Sequence, residues 1–531
     1  MLIRANSISA FADAARACLR RRALACLLAL SLGWAAAPAA AFADVRPTDE
    51  ILGETVEARG LPAVSCPNVT ATYAMVMDAD GTVYFSRDAD TQSHIASITK
   101  VMTAIVALDS GVSLDSTVTV TPEAAQIGES SAMLQAGDTL TLKAAITGLM
   151  VSSGNDAAIS IADTLGAAMR SSEDQTANDA FVAAMNAKAA ELGMENTLFA
   201  NPHGLDIGEY DNEMYSSARD VALMCAYAMK NETFRSIVSQ ERAQITVSRT
   251  GGQAVTIDLT STDILLGSYE GACGVKTGYT EQAGQSFAGA CNRGDGDLYA
   301  IVLGAPSDAA RFDDTKILFD WVYNNRVSYA LAHSDQTVTM TVDGTTSEVP
   351  LIAEVPFTAW PDKRVKATLA DPDATVEVFA PAGNVSQAFE YRDLGGNVSA
   401  GDVVGTVRFY QGGKEIASQD LVACEDAAAP DPLQALGIWW DRLWQGFAGK
   451  SLVASPIVEN DTPLIYDKSG ARADGATVAE VAAGHAAAAE NGESTDGAAD
   501  TSAPTDTTGS ADGGQDAAPS EEGLPTTEPA E

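Results

Sequence analysis

The chain has 531 residues, more than one ordinary domain needs and enough for two or three, with a hydrophobic share usual for globular proteins. Its formal net charge of −40 excludes a nucleic-acid binder, which needs a basic face to neutralise phosphate, and argues against adhesion to anionic lipid through bulk charge. The acidity reads as a solvated surface plus an acidic tail.

The first segment in chain order reads as a processing signal. Arg16, Arg20, Arg21 and Arg22 form a cationic stretch, and Ala23 to Ala37 is an apolar run too short to span a bilayer comfortably. Ala41-Phe42-Ala43 fits a small-x-small cleavage site. The pattern predicts a signal peptide over residues 1–43, a mature chain from Asp44 and export; an uncleaved N-terminal anchor is the alternative. Five cysteines then remain, Cys66, Cys225, Cys273, Cys291 and Cys424. Their odd number leaves at least one unpaired in a monomer, and their spacing matches no metal site. Cys273 and Cys291 fall on consecutive predicted strands, as neighbours or as buried free thiols.

From Tyr73 the pattern is strand-like, with a hairpin signal at Asp80-Gly81. From Ser97 it turns helical: Met102, Ile105, Val106 and Leu108 share a face, and Asp109-Ser110-Gly111 is the stop. Helical stretches continue to about residue 235, strand-like runs occupy Ala243 to Leu303, and Phe312 to Tyr323 closes as a helix. This order predicts an α+β domain over residues 44–330, helices packed on an antiparallel sheet.

Residues 334–424 are short alternating runs such as Thr337 to Val342, which predict a small β-rich domain. Residues 425–450 read as an acidic Ala/Pro linker followed by an amphipathic helix. Leu433, Leu436, Trp440, Leu443 and Phe447 recur at helical spacing there, with Trp439 and Trp444 beside them. Two readings fit: a helix lying in the plane of a membrane surface, or one docked on the β-rich domain. Residues 451–531 are expected to be an acidic, disordered tail, almost free of large apolar residues from about Ser469.

Three short motifs carry chemistry. In Ser97-Ile98-Thr99-Lys100, at the start of a predicted helix, positions i and i+3 share a face, so Ser97 and Lys100 can meet. A serine hydroxyl needs a base to become a nucleophile, and a lysine serves once burial or a neighbouring cation lowers its pKa. In Ser153-Gly154-Asn155, Ser153 can relay a proton to a leaving amine and Asn155 can bond a substrate amide. In Lys276-Thr277-Gly278, on a strand starting near Gly271, an edge strand can bind an extended peptide. Lys276 and Thr277 there suit a terminal carboxylate, and Gly278 allows close backbone approach. Each motif alone is also what a helix cap, a polar turn or a strand end would show. Together and in this order they are the signature of penicillin-binding proteins and serine β-lactamases.

The chain resembles the low-molecular-mass D-alanyl-D-alanine carboxypeptidases of the penicillin-binding protein superfamily. The likeness spans about Tyr73 to Tyr323 and includes Ala96 to Ala104, Ser153 to Ala157, Asn201-Pro202-His203-Gly204-Leu205 and Val275 to Thr280. A weaker likeness at Gly401 to Val407 suggests the family's C-terminal domain. The resemblance implies the penicillin-binding-protein/β-lactamase-like transpeptidase fold followed by a small β-rich domain. It implies an enzyme that removes the terminal D-alanine of peptidoglycan stem peptides, with β-lactams as covalent inhibitors and no metal or cofactor.

By the same resemblance Ser97 is the acylated nucleophile and Lys100 its base. Ser153 and Asn155 line the pocket, and Lys276, Thr277 and Gly278 receive the substrate's end. The backbone N–H groups of Ser97 and Tyr279 form an oxyanion hole. Arg311 either contacts the carboxylate or makes a structural salt bridge, and His203 is structural. Ile95 and Ser217 stand where the family often has Pro and Thr; neither change removes a catalytic group. The rivals are a β-lactamase, for which no deacylating Glu is evident, and a catalytically silent wall-binding protein, against which the three intact motifs argue.

Overall fold

The computed structural model describes residues 45–210, 213–447 and 453–465. The expected signal peptide, residues 1–43, lies outside them, as does most of the expected tail. Strands β1 (Glu50–Ile51), β2 (Glu54–Thr55), β3 (Tyr73–Asp78) and β4 (Val83–Arg87) open the fold. The Asp80-Gly81 signal is the β3–β4 hairpin, with Gly81 at a φ of 89°. There follow helix α1 (Lys100–Asp109), strands β5 (Thr117–Thr119) and β6 (Thr139–Thr141), and helices α2 (Leu142–Val151), α3 (Asn155–Met169), α4 (Ala177–Glu191), α5 (Ala218–Ala228) and α6 (Glu232–Val238). Then come β7 (Arg242–Ser248), β8 (Ala254–Thr260), β9 (Ala272–Thr280), β10 (Gly284–Asn292), β11 (Asp297–Ala305) and helix α7 (Asp308–Asn325).

A seven-stranded antiparallel sheet in the order β2-β1-β4-β3-β11-β10-β9 divides two apolar layers. Side chains alternate between them because successive residues of a strand face opposite ways. On β3 and β11, Met75, Met77, Tyr299, Ile301 and Leu303 enter the layer built by α1 to α6. Ala74, Val76, Leu298, Ala300 and Val302 enter the layer that holds Leu318, Phe319 and Val322 of α7. Helix α1 is buried from Lys100 to Ala107, so it is apolar nearly all round rather than amphipathic. This is the α+β arrangement that the order of elements predicts.

One buried ion pair ties the chain's start to this sheet. Arg87, 1 % exposed, makes two bonds to the Asp49 carboxylate at 2.8 and 2.7 Å and donates to the carbonyls of Val69 and Ala71. Such a pair stabilises only because nearly every donor is used; removing one partner strands a buried charge.

The β-rich part has its own core around Ile352, Val365, Val404, Val407, Phe409 and Leu421. It contains β12 (Arg326–Ala330), β13 (Thr337–Val342), β14 (Thr345–Pro350), β15 (Ala353–Pro356), β16 (Arg364–Leu369), β17 (Thr375–Phe379), β18 (Val385–Tyr391), β19 (Val403–Gln411), β20 (Lys414–Ala423) and β21 (Ile457–Val458). Its main sheet runs β18-β19-β20-β16-β15-β21. The part takes in segments on either side of 334–424. Strand β12 leaves α7 directly and pairs with β17. The expected tail does not begin at 451: residues 457–458 pair with β15, and buried Asn460 bonds His333, Leu331 and Gln387. A single well-placed amide outweighs the segment's polar composition there. The Glu425–Pro432 stretch is likewise tethered, through the Val398–Ala427 bridge.

Helix α8 (Pro432–Phe447) follows. Its apolar side is open to solvent: Leu433 is 83 % and Trp444 60 % exposed, with Leu436, Trp439 and Trp440 also exposed. Arg442 donates to the Thr358 carbonyl at 2.6 Å on the β-rich part. No described helix is long and apolar enough to cross a membrane. All five cysteines from Cys66 to Cys424 are free thiols. Cys273 and Cys291 do sit on consecutive strands, but they pack into the layers on opposite faces of the sheet.

Candidate active site

Ser97 does not lie on α1 itself, as its helical spacing predicts, but on the single 3-10 turn Ala96–Thr99 just before it. Ala96, immediately before the serine, has a φ of 48°, a conformation non-glycine residues rarely adopt. Gly204 holds the turn from behind. It sits at a φ of +87°, and a Cβ there would lie 2.0 Å from the Ala96 carbonyl oxygen. Only glycine permits that approach.

Lys100 Nζ lies 2.7 Å from Ser97 Oγ and donates to the His203 carbonyl at 2.8 Å. Lys100 has no solvent exposure. Burial pushes its pKa well below the ordinary 10.5, and the charge of Lys276 lowers it further; Asp156 opposes both. The amine is thereby biased toward the neutral form that can take a hydroxyl proton. His203 contributes its carbonyl, not its ring. Burial first and Lys100 second push the imidazole down to about 3, and its Nδ1 accepts the Leu205 N–H. Asn201 fixes this loop by accepting from the N–H groups of His203 and Gly204 at 3.1 and 2.7 Å.

Ser153 follows the end of α2, is buried, and has a φ of 60°. Asn155 begins α3. Its N–H donates to Ser130 and its Nδ2 to the Gly128 carbonyl, while its Oδ1 is buried without a hydrogen-bond partner. A buried acceptor left unpaired is costly, and a substrate N–H would satisfy it. Asp156 straps the flanking loop by accepting from Ser131 Oγ and the N–H groups of Ala132 and Leu134. Helix α1 packs against both α2 and α3, and the reach of Asp156 to Lys100 places this junction beside the nucleophile.

Strand β9 closes the other side. It pairs only with β10, so its outer edge is the sheet's edge among the described residues. A Cβ on Gly278 would lie 2.6 Å from the Ile95 carbonyl oxygen, which presses this strand onto the Ser97 turn. Lys276 is buried and donates to the Thr277 carbonyl at 3.0 Å. Burial and then Arg311 push its pKa down to about 7, against the pull of Asp263. Thr277 Oγ1 lies 2.6 Å from Thr262 Oγ1, and the Tyr279 side chain is 56 % exposed. Arg311 is turned to the scaffold: it donates to the carbonyls of Gly278 and Ser286 and pairs with Asp308. The structure therefore joins Ser97 to Lys100, presses β9 at Gly278 onto the Ser97 turn, and brings Lys276 and Asp156 within electrostatic reach of Lys100, while Arg311 is bound to the β9 and β10 carbonyls and to Asp308.

Asp263 and Thr262 escape a reading by motif, and the roles of Asp156 and Gly204 do so although both lie within stretches that carry the resemblance. They join the site through folding across long sequence separations, and the Ser153–Ala157 and Asn201–Leu205 stretches are the parts of the sequence that gave a signal.

Lys276 should cost stability. The unfolded lysine keeps its proton up to 10.5 and the folded one only to about 7. The unfolded state thus binds more protons between those values, and stability rises with pH across that window. Lys276→Met should raise stability by about 1–4 kcal/mol at about pH 6 and by less at about pH 9. Thermal melts at both pH values check this.

The profile of the D-alanyl-D-alanine carboxypeptidase family, peptidase family S11, matches residues 61–307. The D-alanyl-D-alanine carboxypeptidase of Streptomyces sp. (strain K15) is 34 % identical over 287 residues, 52 % of this chain and 96 % of that protein. The enzyme DacC of Escherichia coli (strain K12) is 30 % identical over 400 residues, 72 % of this chain and 88 % of that protein. The crystal structure of the Streptomyces K15 DD-transpeptidase shares 33 % identity, covering 49 % of this chain and 98 % of that one, with a TM-score of 0.46. Nearly the full length of these relatives is covered at such identities, and the chain belongs to the D-alanyl-D-alanine carboxypeptidase family of serine peptidases.

Proposed function

We propose that this chain removes the terminal D-alanine from peptidoglycan pentapeptide stems through an acyl-enzyme on Ser97, limiting the donors available for cross-linking. The observation that carries the reading is the 2.7 Å contact between Ser97 Oγ and the fully buried Lys100 Nζ. Neutral Lys100 takes the Ser97 proton as Oγ attacks the carbonyl of the penultimate D-alanine. The N–H groups of Ser97 and Tyr279 receive the developing oxyanion. Ser153 passes the proton to the departing amine, and terminal D-alanine leaves. Water then hydrolyses the ester, its proton returning through Lys100. Asn155 Oδ1 accepts a stem-peptide N–H, while Lys276 and Thr277 hold the carboxylate and Gly278 leaves room for the peptide. β-Lactams follow the first step and stay as the acyl adduct.

The substrate class implies an exported protein acting outside the cytoplasmic membrane, with residues 44–330 as the catalytic domain. The exposed Leu and Trp side of α8 supports peripheral contact with a membrane surface. Vesicles of zwitterionic lipid should carry the wild-type protein upward in a flotation gradient and leave the triple variant Trp439→Ser, Trp440→Ser, Trp444→Ser behind. Equal flotation of the two, or none of the wild type, removes this contact from the account.

Purified protein should release D-alanine from a muramyl pentapeptide ending in D-Ala-D-Ala, and Ser97→Ala should lose at least about a thousandfold of that rate. Release that persists in Ser97→Ala would rule out the acyl-enzyme.

A further inference from the structure

Behind β9 lies a charged cluster that the three motifs do not name. The loop between β8 and β9 is pinned by Leu265, which packs with Phe287 of β10 and Phe312 of α7. Asp263, two residues before Leu265, is 5 % exposed, and its charge acts on Lys276 of β9. Asp263 Oδ1 accepts the Leu265 N–H at 2.9 Å, but Oδ2 is buried without a hydrogen-bond partner. Arg311 Nε is buried and unpartnered in the same way. Lys276, 1 % exposed, makes its bond to the adjacent Thr277 carbonyl. The neighbouring residue Thr262 touches Thr277 through the 2.6 Å hydroxyl contact.

Asp263 and Lys276, both buried and without a salt bridge among the described residues, are thus left to balance each other through space, beside an Arg311 that is paired with Asp308. We propose that Asp263 is a positioning residue of this site, the internal counter-charge that holds Lys276 as a cation beneath the substrate-binding edge.

The charges around the pair come from every element packed on it. Lys276 faces Asp263 from the β8–β9 loop, Arg311 from α7 and Lys100 from α1. Asp263 faces Lys276, Arg311 and the neutral thiol of Cys273 on β9. Asp308 of α7 already pairs with Arg311. Burial raises Asp263 to about 7 and lowers Lys276 to about 7, while each favours the ionised form of the other. The two titrate as a pair. Burial first and Arg311 second push the Lys276 proton off. With Asp263 in place the lysine keeps its charge to higher pH, and so keeps its hold on an anionic substrate terminus.

The inference rests on the carboxylate-binding role given to Lys276 above, and its test does not need D-alanine release. The rate of Ser97 acylation by a fluorescent penicillin, itself a carboxylate, is followed against pH. The alkaline limb is expected to move down by about half a unit to one unit in Asp263→Asn. The change should appear in the half-saturating penicillin concentration rather than in the limiting rate. Asp263→Ser should move the limb the same way, and Asp263→Glu, which restores the charge, should return it. A limb unmoved in both neutral variants, or moved upward, would overturn the proposal and leave Asp263 a loop brace. D-alanine release by the wild type decides the carboxypeptidase reading separately.

Discussion

Lys100 is a lysine with no contact with water, and the rest of the site depends on that. An ammonium in such a place loses its hydration and is pushed toward the neutral amine. The fold then supplies what a neutral amine needs: one acceptor for its N–H, the His203 carbonyl, and one hydroxyl 2.7 Å away. The buried helix α1, the left-handed Ala96 and the close approach of Gly204 all serve to keep that pair in register. Each is a local cost in conformational freedom or strain, and each is tolerated because the surrounding packing fixes it.

A second buried lysine reinforces the first. Lys276 lowers the proton affinity of Lys100, while its own charge is the feature that suits it to an anion. Burial pushes both lysines toward the neutral amine, Lys100 well below 10.5 and Lys276 to about 7. Their neighbours separate them: Asp156 stands near Lys100, and Asp263 and Arg311 near Lys276. These different surroundings suit the proposed roles of base for Lys100 and cation for Lys276, as in other sites with paired titratable groups.

Much of this was legible in the sequence. The Ser97–Lys100 pair is written in an i, i+3 spacing that survives the change from α-helix to 3-10 turn, because both geometries put these positions on one side. The strand that carries Lys276 to Gly278 follows from the residue pattern, and the sheet with its helices from the order of elements, whereas the strand's place at the sheet edge comes from the observed strand order. The remainder was hidden for physical reasons. Asp263 is buried by Leu265 packing on strands and a helix distant in the chain, which no local pattern records. His203 reads as structural by sequence, and it is the backbone carbonyl, invisible to any side-chain pattern, that holds Lys100. Arg311 left two readings open by sequence, a carboxylate contact or a structural salt bridge, and it is occupied by two carbonyls and Asp308. Residues 453–465 look like tail by composition, and one amide, Asn460, fixes them to the β-rich part.

The measurement that tests the central claim most directly is the pH dependence of Ser97 acylation by a β-lactam, with the modified serine located by mass spectrometry. A neutral Lys100 base gives a rate that stops rising well below the ordinary lysine value of 10.5 and falls again once Lys276 loses its charge. A rate that climbs about tenfold per pH unit up to that value would mean that Lys100 keeps its proton, and would contradict the account.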